Sequence, residues 1–429
     1  MLNSLWNGIG KITVINNNLK NKDMISEKSK VVFLGLGYIG LPTAALIAKN
    51  NIKVVGVDIN EKVVETINKG KIHIVEPDLD GLVKHVVESG NLKAQVKPDF
   101  ADVFVIAVPT PFKGNYEPDI SYVEMATKSV IPFLREGNLF IIESTSPVGT
   151  TEKMAELIFA SRPELKEKVY IAYCPERVLP GNVIYELENN DRVIGGINTQ
   201  STAEAIKFYS LFVKSKLHPT NARTAEMCKL TENSFRDVNI AFANELSLIC
   251  DKAGINVWEL IQLANKHPRV NILWPGTGVG GHCIAIDPWF IVNDFPNEAR
   301  IIRTAREINN YKPLWVIEQI KKSILEFNSK YNRKPVVALM GLAFKPDIDD
   351  LRESPAVEVV ELLTSNSNLN ADFLVNEPNV IQYKDIKNIN YIDAYKKADI
   401  VVFLVSHKQY KLLERNNTKI ELDFCGVRK

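Results

Sequence analysis

Short apolar runs recur along the first half of the chain, separated by amphipathic stretches, and this alternation predicts most of the architecture. "VVFLG" from Val31, "IKVVGVD" from Ile52, "ADVFVIAV" from Ala101, "NLFIIES" from Asn138, "KVYIAYCP" from Lys168 and "DRVIGG" from Asp191 read as strands. Their near-continuous apolar character is that of a parallel sheet covered on both faces. From Thr224 to Ala253 the period becomes that of one long helix, closed by Gly254 as a C-cap. From Lys334 the strand–helix alternation resumes with "PVVALMG", a helix through "SPAVEVVELL", then "ADFLVN" and "ADIVVFLV". The predicted fold class is α/β, with two Rossmann-like, doubly wound parallel-sheet domains joined by a long central helix. The expected divisions are an N-terminal extension over 1–29, a first lobe over 30–211, a helical connector over 212–315 and a second lobe over 316–429.

One run invites a different reading. "VVFLGLGYIGLPTAALIA", Val31 to Ala48, is uncharged and approaches the length of a membrane span. Its three glycines and Pro42 break a continuous helix, so a strand, a tight turn and a helix start are expected instead. Residues 1–29 lack an apolar stretch long enough for a secretory signal.

Composition narrows the class without naming it. The 429 residues are 45% hydrophobic and 24% charged, as in an ordinary globular protein with more than one core. A net charge of +1 gives no electrostatic case for nucleic acid or an anionic membrane. Five cysteines, dispersed and without a CxxC pair, argue against a disulfide framework or structural zinc and favour a reducing cytoplasm. No His/Asp/Glu cluster calls for a metal.

Gly35, Gly37 and Gly40 stand in G-x-G-x-x-G register between a strand and a helix. Such a turn lets backbone approach a pyrophosphate, and the helix N-terminus offers it free N–H groups. Asp58, at the end of the next strand and 18 positions beyond Gly40, is placed to bind ribose hydroxyls and to repel a 2′-phosphate. The expected cofactor is NAD rather than NADP.

Further motifs follow in order: "ESTSPVGT" from Glu143, "YCPERVLPG" from Tyr173, "KLTENSFR" from Lys229, "HPRVN" from His267, "GVGGHCIAIDPWF" from Gly278 and "GLAFKPDIDDLRESP" from Gly341. Together they resemble the UDP-glucose/GDP-mannose 6-dehydrogenase family over nearly the whole chain from Val31. The resemblance implies a four-electron oxidation of a sugar C6 alcohol to a carboxylate. Carried over by position, Cys283 matches the nucleophile, Lys229 and Asn233 an oxyanion and water-binding pair, Glu176 an acid/base carboxylate, Asp287 a second carboxylate and Thr145 a hydroxyl near the reacting carbon. Tyr38, Ile39, Thr110, Thr145 and Arg352 join the glycines and Asp58 on the NAD side. Glu176, Arg177, Val178, Lys229, Asn233, Gly280, Phe344 and Lys345 fall on the nucleotide-sugar side, with Arg269 reaching into a partner subunit's site. A homodimer or higher homo-oligomer is therefore expected, with the central helix as its contact. By the same resemblance 30–211 holds NAD, 316–429 holds the UDP-sugar, and the connector carries the nucleophile loop.

The chemistry independently suits these residue types. Hydride loss from an aldehyde needs a tetrahedral adduct, which a thiolate forms readily, passing through a thiohemiacetal to a thioester. Hydrolysis then needs a base and a stabilised oxyanion. Lys229 and Asn233, four apart on a helix, share a face and are expected to point at one oxygen. The ammonium is also expected to lower the thiol pKa. His282, though next to Cys283, is given no role, and the other four cysteines are read as core. Glucose-type relatives usually carry a lysine before the loop aspartate, whereas this chain has Ile286 before Asp287. That replacement resembles members acting on 2-acetamido sugars, and the expected substrate is UDP-N-acetyl-D-mannosamine. The alternatives are UDP-N-acetylglucosamine or UDP-glucose, a single-step NAD-dependent alcohol dehydrogenase, or a silent NAD-binding sensor.

Overall fold

Val31, Phe33, Val103 and Val105 are fully buried on one face of a sheet, and Val32, Phe104 and Ile106 on the other, because helices cover both. The computed structural model describes residues 26, 28–74, 76–114, 116–178, 181–281, 283–366 and 368–429. Nearly all of the expected N-terminal extension, and His282, lie outside them. In chain order the strands of the first lobe are β1 (Lys30–Leu34), β2 (Lys53–Val57), β3 (Leu92–Gln95), β4 (Val103–Ile106), the short pair β5 (Phe112–Lys113) and β6 (Glu117–Pro118), β7 (Leu139–Ile142), β8 (Tyr170–Tyr173), β9 (Arg192–Gly196) and β10 (Leu217–Asn221). Those of the second lobe are β11 (Val336–Met340), β12 (Asp372–Asn376), β13 (Ile400–Phe403) and β14 (Ile420–Asp423).

The first sheet has the order β10-β9-β8-β7-β4-β1-β2-β3, and the second, wholly parallel, β12-β11-β13-β14. Every pair in the first sheet is parallel except β8 with β9, which run antiparallel. This departs from the parallel sheet expected. The chain leaves β8, makes a loop and the short helix Val183–Asn189, and re-enters from the same edge, so it never crosses back over a face.

The suspected membrane span resolves into β1, a turn and the helix Gly40–Lys49. Among the described residues no helix is long and apolar enough to cross a membrane. β1 is followed by buried helix residues from Leu41 to Ala48, so this apolarity belongs to a core.

The central helix spans Ala222–Ala253, 32 residues or about 48 Å at 1.5 Å per residue. The Asn221 side chain caps its start by accepting from Thr224 N at 2.9 Å, and Gly254 ends it in the left-handed conformation at φ 69°. A second 32-residue helix, Arg300–Tyr331, packs along it and carries the chain unbroken through 315–316 into the second lobe. A buried polar seam joins the two: Arg306 and Asn309 donate to Asp237, each at 2.7–2.8 Å, and Asn244 donates to Asn309 at 2.8 Å. Breaking one member would strand a buried charge, so the seam fixes how the helices register.

Candidate active site

The sequence motifs converge because they sit at the carboxyl ends of strands, where an open α/β sheet places ligands. β1 leads into Gly35–Gly40, β2 is followed directly by Asp58, β4 leads to Thr110, β7 to Thr145 and β8 to Glu176; from the second sheet, β11 leads to Phe344, Lys345 and Arg352.

The glycine turn shows three different needs. At Gly35, φ is +91° and a Cβ would meet Ala107 O at 2.4 Å; at Gly40 it would meet Gly35 O at 1.8 Å. At Gly37 a Cβ would meet nothing within 4 Å. The first and third glycines are demanded by the fold, whereas the second borders open space, as a site for pyrophosphate requires. Asp58 accepts from Leu36 N at 3.0 Å and Asn60 N at 2.9 Å, which pins the carboxylate beside the turn with lone pairs to spare. Tyr38 is exposed and Ile39 half-buried behind it. Ser144 Oγ donates to Val108 O at 2.7 Å, tying the loop of Thr145 to that of Thr110; both threonines are partly exposed. These residues fit NAD.

The nucleophile loop is seated against the second lobe. At Gly280 a Cβ would lie 2.3 Å from Glu353 O and 2.8 Å from Phe344 Cβ, so only glycine permits this approach. Gly281 N donates to Arg352 O at 3.1 Å, and Thr277 Oγ1 to Leu404 O at 2.6 Å. Arg352 is held by Asp350 at 2.6 Å and stands over the Tyr38 ring, 5.3 Å from its centroid, so it spans the cleft between the lobes. Lys345 is partly buried on the same loop.

Cys283 opens a turn whose carbonyl accepts from Asp287 N at 2.8 Å, and Asp287 begins the helix Asp287–Asp294. Its thiol is pushed up to about 12, first by burial and then by the Asp287 and Glu176 carboxylates. Lys229 and Arg352 pull the other way without prevailing. Lys229 does act in the expected, lowering direction, but a single ammonium is outweighed by burial and two carboxylates, so the thiol as a whole is raised. Burial likewise raises Asp287 to about 6, against Lys229 and an Asn233 hydrogen bond, and raises Glu176 to about 7, against Lys229 and Arg192.

Lys229 and Asn233 do share a buried face, and within the chain each head group engages a different protein oxygen. Lys229 Nζ donates to the Glu176 carbonyl at 2.6 Å and Asn233 Nδ2 to Asp287 at 2.5 Å. Each tethers a different carboxylate-bearing loop to the central helix. Val178 N donates to the Glu176 carboxylate, and Arg177 is paired with Glu232 at 2.6 Å. Ile286 is half-buried against Leu230 and Phe290. Arg269 is exposed, and among the described residues no hydrogen bond or ion pair links it to this cluster. Of the cysteines read as core, Cys174 and Cys250 are buried, whereas Cys228 and Cys425 keep partial exposure.

Two supports carried no motif that sequence reading could use. Buried Glu226, on the central helix, accepts from Gly149 N and Thr151 N at 2.6 and 2.7 Å and so fixes the loop after Thr145. Glu76 accepts from Gly181 N and Val183 N at 3.0 and 2.8 Å, anchoring the far side of the Glu176 loop.

Comparison with known proteins agrees with this geometry. Residues 29–213 match the NAD binding domain, 223–311 the central domain and 338–427 the UDP binding domain of the UDP-glucose/GDP-mannose dehydrogenase family. The UDP-N-acetyl-D-mannosamine dehydrogenase of Campylobacter jejuni is 55% identical, over 94% of this chain and 100% of its own. That of Escherichia coli strain K12 is 56% identical, over 90% and 95%. The solved structure of a UDP-D-ManNAc dehydrogenase from Pyrococcus horikoshii superposes with a TM-score of 0.84 at 39% identity, covering 93% of this chain and 96% of that one. With both sheets, the glycine turn and the cysteine loop in their places, the chain belongs to the UDP-glucose/GDP-mannose dehydrogenase family, as an NAD-dependent dehydrogenase of UDP-sugars.

Proposed function

We propose that the chain oxidises UDP-N-acetyl-D-mannosamine at C6, through the aldehyde, to UDP-N-acetyl-D-mannosaminuronate, with Cys283 as the nucleophile. The observation that carries the mechanism is the set of charges acting on one thiol: Asp287, Lys229, Glu176 and Arg352. The choice of sugar is supported by relatives of that name at 55–56% identity.

NAD, when bound on the glycine turn, supplies the hydride acceptor for both oxidations. The remaining work falls to side chains. A thiol near 12 is protonated at rest, so its proton must leave as sulfur adds to the aldehyde carbon. Glu176 near 7 and Asp287 near 6 are matched to take protons at neutral pH. The thiohemiacetal loses its C6 hydride and hydroxyl proton to become a thioester. Water then adds, the C–S bond breaks, and the thiol is regenerated. Per sugar, one water is consumed and two hydrides and three protons depart. Lys229 Nζ, released from the Glu176 carbonyl, is the cation available to the developing oxyanion, and Asn233 holds Asp287 in place. In this reading 30–211 holds NAD, 316–429 holds UDP through Phe344 and Lys345, 212–315 supplies the nucleophile, and Thr145 lies beside the reacting carbon.

A homodimer is part of the proposal. Phe235, Phe242 and Ile249 are 68%, 51% and 56% exposed and recur every seven residues along one face of the central helix. Such an apolar stripe is that of a helix awaiting a partner, and a second copy would bring its Arg269 towards the site.

The test is to count NADH formed per sugar over UDP-N-acetylmannosamine, UDP-N-acetylglucosamine and UDP-glucose. Two with the manno sugar preferred is the expected result. One would mean a single-step dehydrogenase, none a sensor, and a clear preference for UDP-glucose would overturn the acetamido reading.

A further inference from the structure

The loop after β11 is held by a buried pair that the chemistry above does not use. Glu377, at the end of β12, and His407, after β13, are both fully enclosed. Glu377 Oε2 accepts from Leu342 N at 2.8 Å, from Ala343 N at 2.9 Å and faces His407 Nε2 at 3.0 Å. On the other side of the ring, His407 Nδ1 faces Asp347 N at 3.0 Å and Asn379 Nδ2 at 3.2 Å. A backbone amide can only donate, so Nδ1 carries no proton. The proton therefore sits on Nε2, directed at the carboxylate.

This imidazole thus clasps both limbs of the segment that presents Phe344, Lys345 and Arg352. One limb, Leu342–Ala343, hangs on Glu377; the other, at Asp347, hangs on Nδ1. Asp347 returns the contact, its Oδ1 accepting from Lys408 N at 3.0 Å, one residue beyond the histidine. The segment also closes on itself through Phe344 N to Asp350 O at 3.1 Å and Ser354 Oγ to Leu342 O at 2.6 Å. Its far end is the backbone that receives Gly281 N. In the first lobe Asp58, also at a strand end and also accepting an N–H of its neighbouring turn, is partly exposed, whereas Glu377 is enclosed.

We propose that His407 is a positioning residue for the nucleotide sugar: as the Nε2–H tautomer it joins Glu377 to the Asp347 amide and so sets the Phe344–Arg352 loop in its binding geometry. The proposal rests on the reading that this loop contacts the UDP moiety. Glutamine can imitate the imidazole, donating with its amide nitrogen and accepting with its oxygen, whereas leucine can do neither.

The experiment measures UDP and NAD binding by calorimetry to the parent, His407→Gln, His407→Leu and Lys345→Ala. His407→Leu is expected to weaken UDP roughly tenfold or more while leaving NAD unchanged, with His407→Gln recovering most of the loss. Equal UDP affinity in parent and His407→Leu, with Lys345→Ala weakened, overturns the positioning role and leaves the loop reading intact. If Lys345→Ala also binds UDP like the parent, the loop reading falls and takes the proposal with it. Because a leucine beside buried Glu377 risks misfolding, the parent is also examined directly. Ring-nitrogen NMR, assigned by the signal missing from His407→Gln, is expected to show a protonated Nε2 and a bare Nδ1. A proton on Nδ1 overturns the proposal without reference to any variant's stability.

Discussion

The Asn233 amide donates to the Asp287 carboxylate at 2.5 Å, from the central helix to the first residue of the helix that follows the nucleophile loop. The bond favours the charged carboxylate, yet burial prevails and the group stays near 6. A carboxyl raised from 3.8 in this way binds its proton more tightly in the folded chain than in the unfolded one. Its contribution to stability is complete below about pH 4 and is lost as pH rises through 6. Asp287→Asn removes that loss and keeps an acceptor for Asn233. The variant should match the parent in urea unfolding near pH 3 and exceed it at pH 8 by up to about 3 kcal/mol. Equal stability at pH 8 would show that the carboxylate is solvated in the folded protein.

Cys283→Ser should retain NAD and UDP-sugar binding but form no uronate above background, because an alkoxide is far harder to reach than a thiolate. Lys229→Ala should slow acid formation by about a hundred- to a thousandfold, the usual cost of removing an oxyanion partner. Product analysis by mass, with NADH counted in parallel, checks both. Uronate made by Cys283→Ser at the parent rate would refute the thioester route.

The glycines of the first turn can be told apart by substitution. Gly40→Ala drives a Cβ to 1.8 Å from Gly35 O and should lower thermal stability sharply. Gly37→Ala meets no atom within 4 Å, so it should melt like the parent to within about 0.5 kcal/mol while weakening NAD by about tenfold or more. Asp58→Ala should narrow the preference for NAD over NADP. If Gly37→Ala bound NAD normally, the open space there would not be the pyrophosphate site.

What the sequence revealed follows burial. β1, β4, β7 and β8 lie inside the sheet and announce themselves as apolar runs. The strands that no run betrayed, β3 and β10, are its two edges: "LKAQ" is half polar, and "LHPTN" carries Pro219 where a central strand could not. Gly254 was readable as a cap because its chemistry is local. The thiol's rise to about 12 was not, since it sums burial, the nearby Asp287 and charges from three segments distant in sequence. Nor were Glu226 and Glu76, whose partners lie 75–77 and 105–107 positions away. Motifs name the groups that act, while the groups that hold them are chosen by packing and leave no spacing to recognise.

The last prediction concerns the stripe on the central helix. Phe235, Phe242 and Ile249 lie one heptad apart, so on a straight helix they drift only about 20° per step and form one seam. Leaving three large apolar side chains more than half exposed forgoes the gain of about 1.5–3 kcal/mol that burial gives each. A second copy applied along the seam recovers it, and Phe242→Glu should therefore shift sedimentation from dimer towards monomer. The same assembly makes a sharper demand on Arg269, which the single chain leaves exposed. If that guanidinium completes the neighbouring site, Arg269→Ala and Cys283→Ala are each inactive for different halves of the dimer. Co-expressed with distinct tags and purified through both, the mixed dimer places both lesions in one site and leaves the other whole. It should show about half the parent's activity per dimer. A mixed dimer as inactive as its parents would place Arg269 and Cys283 in the same subunit's site, and would separate assembly from catalysis in this chain.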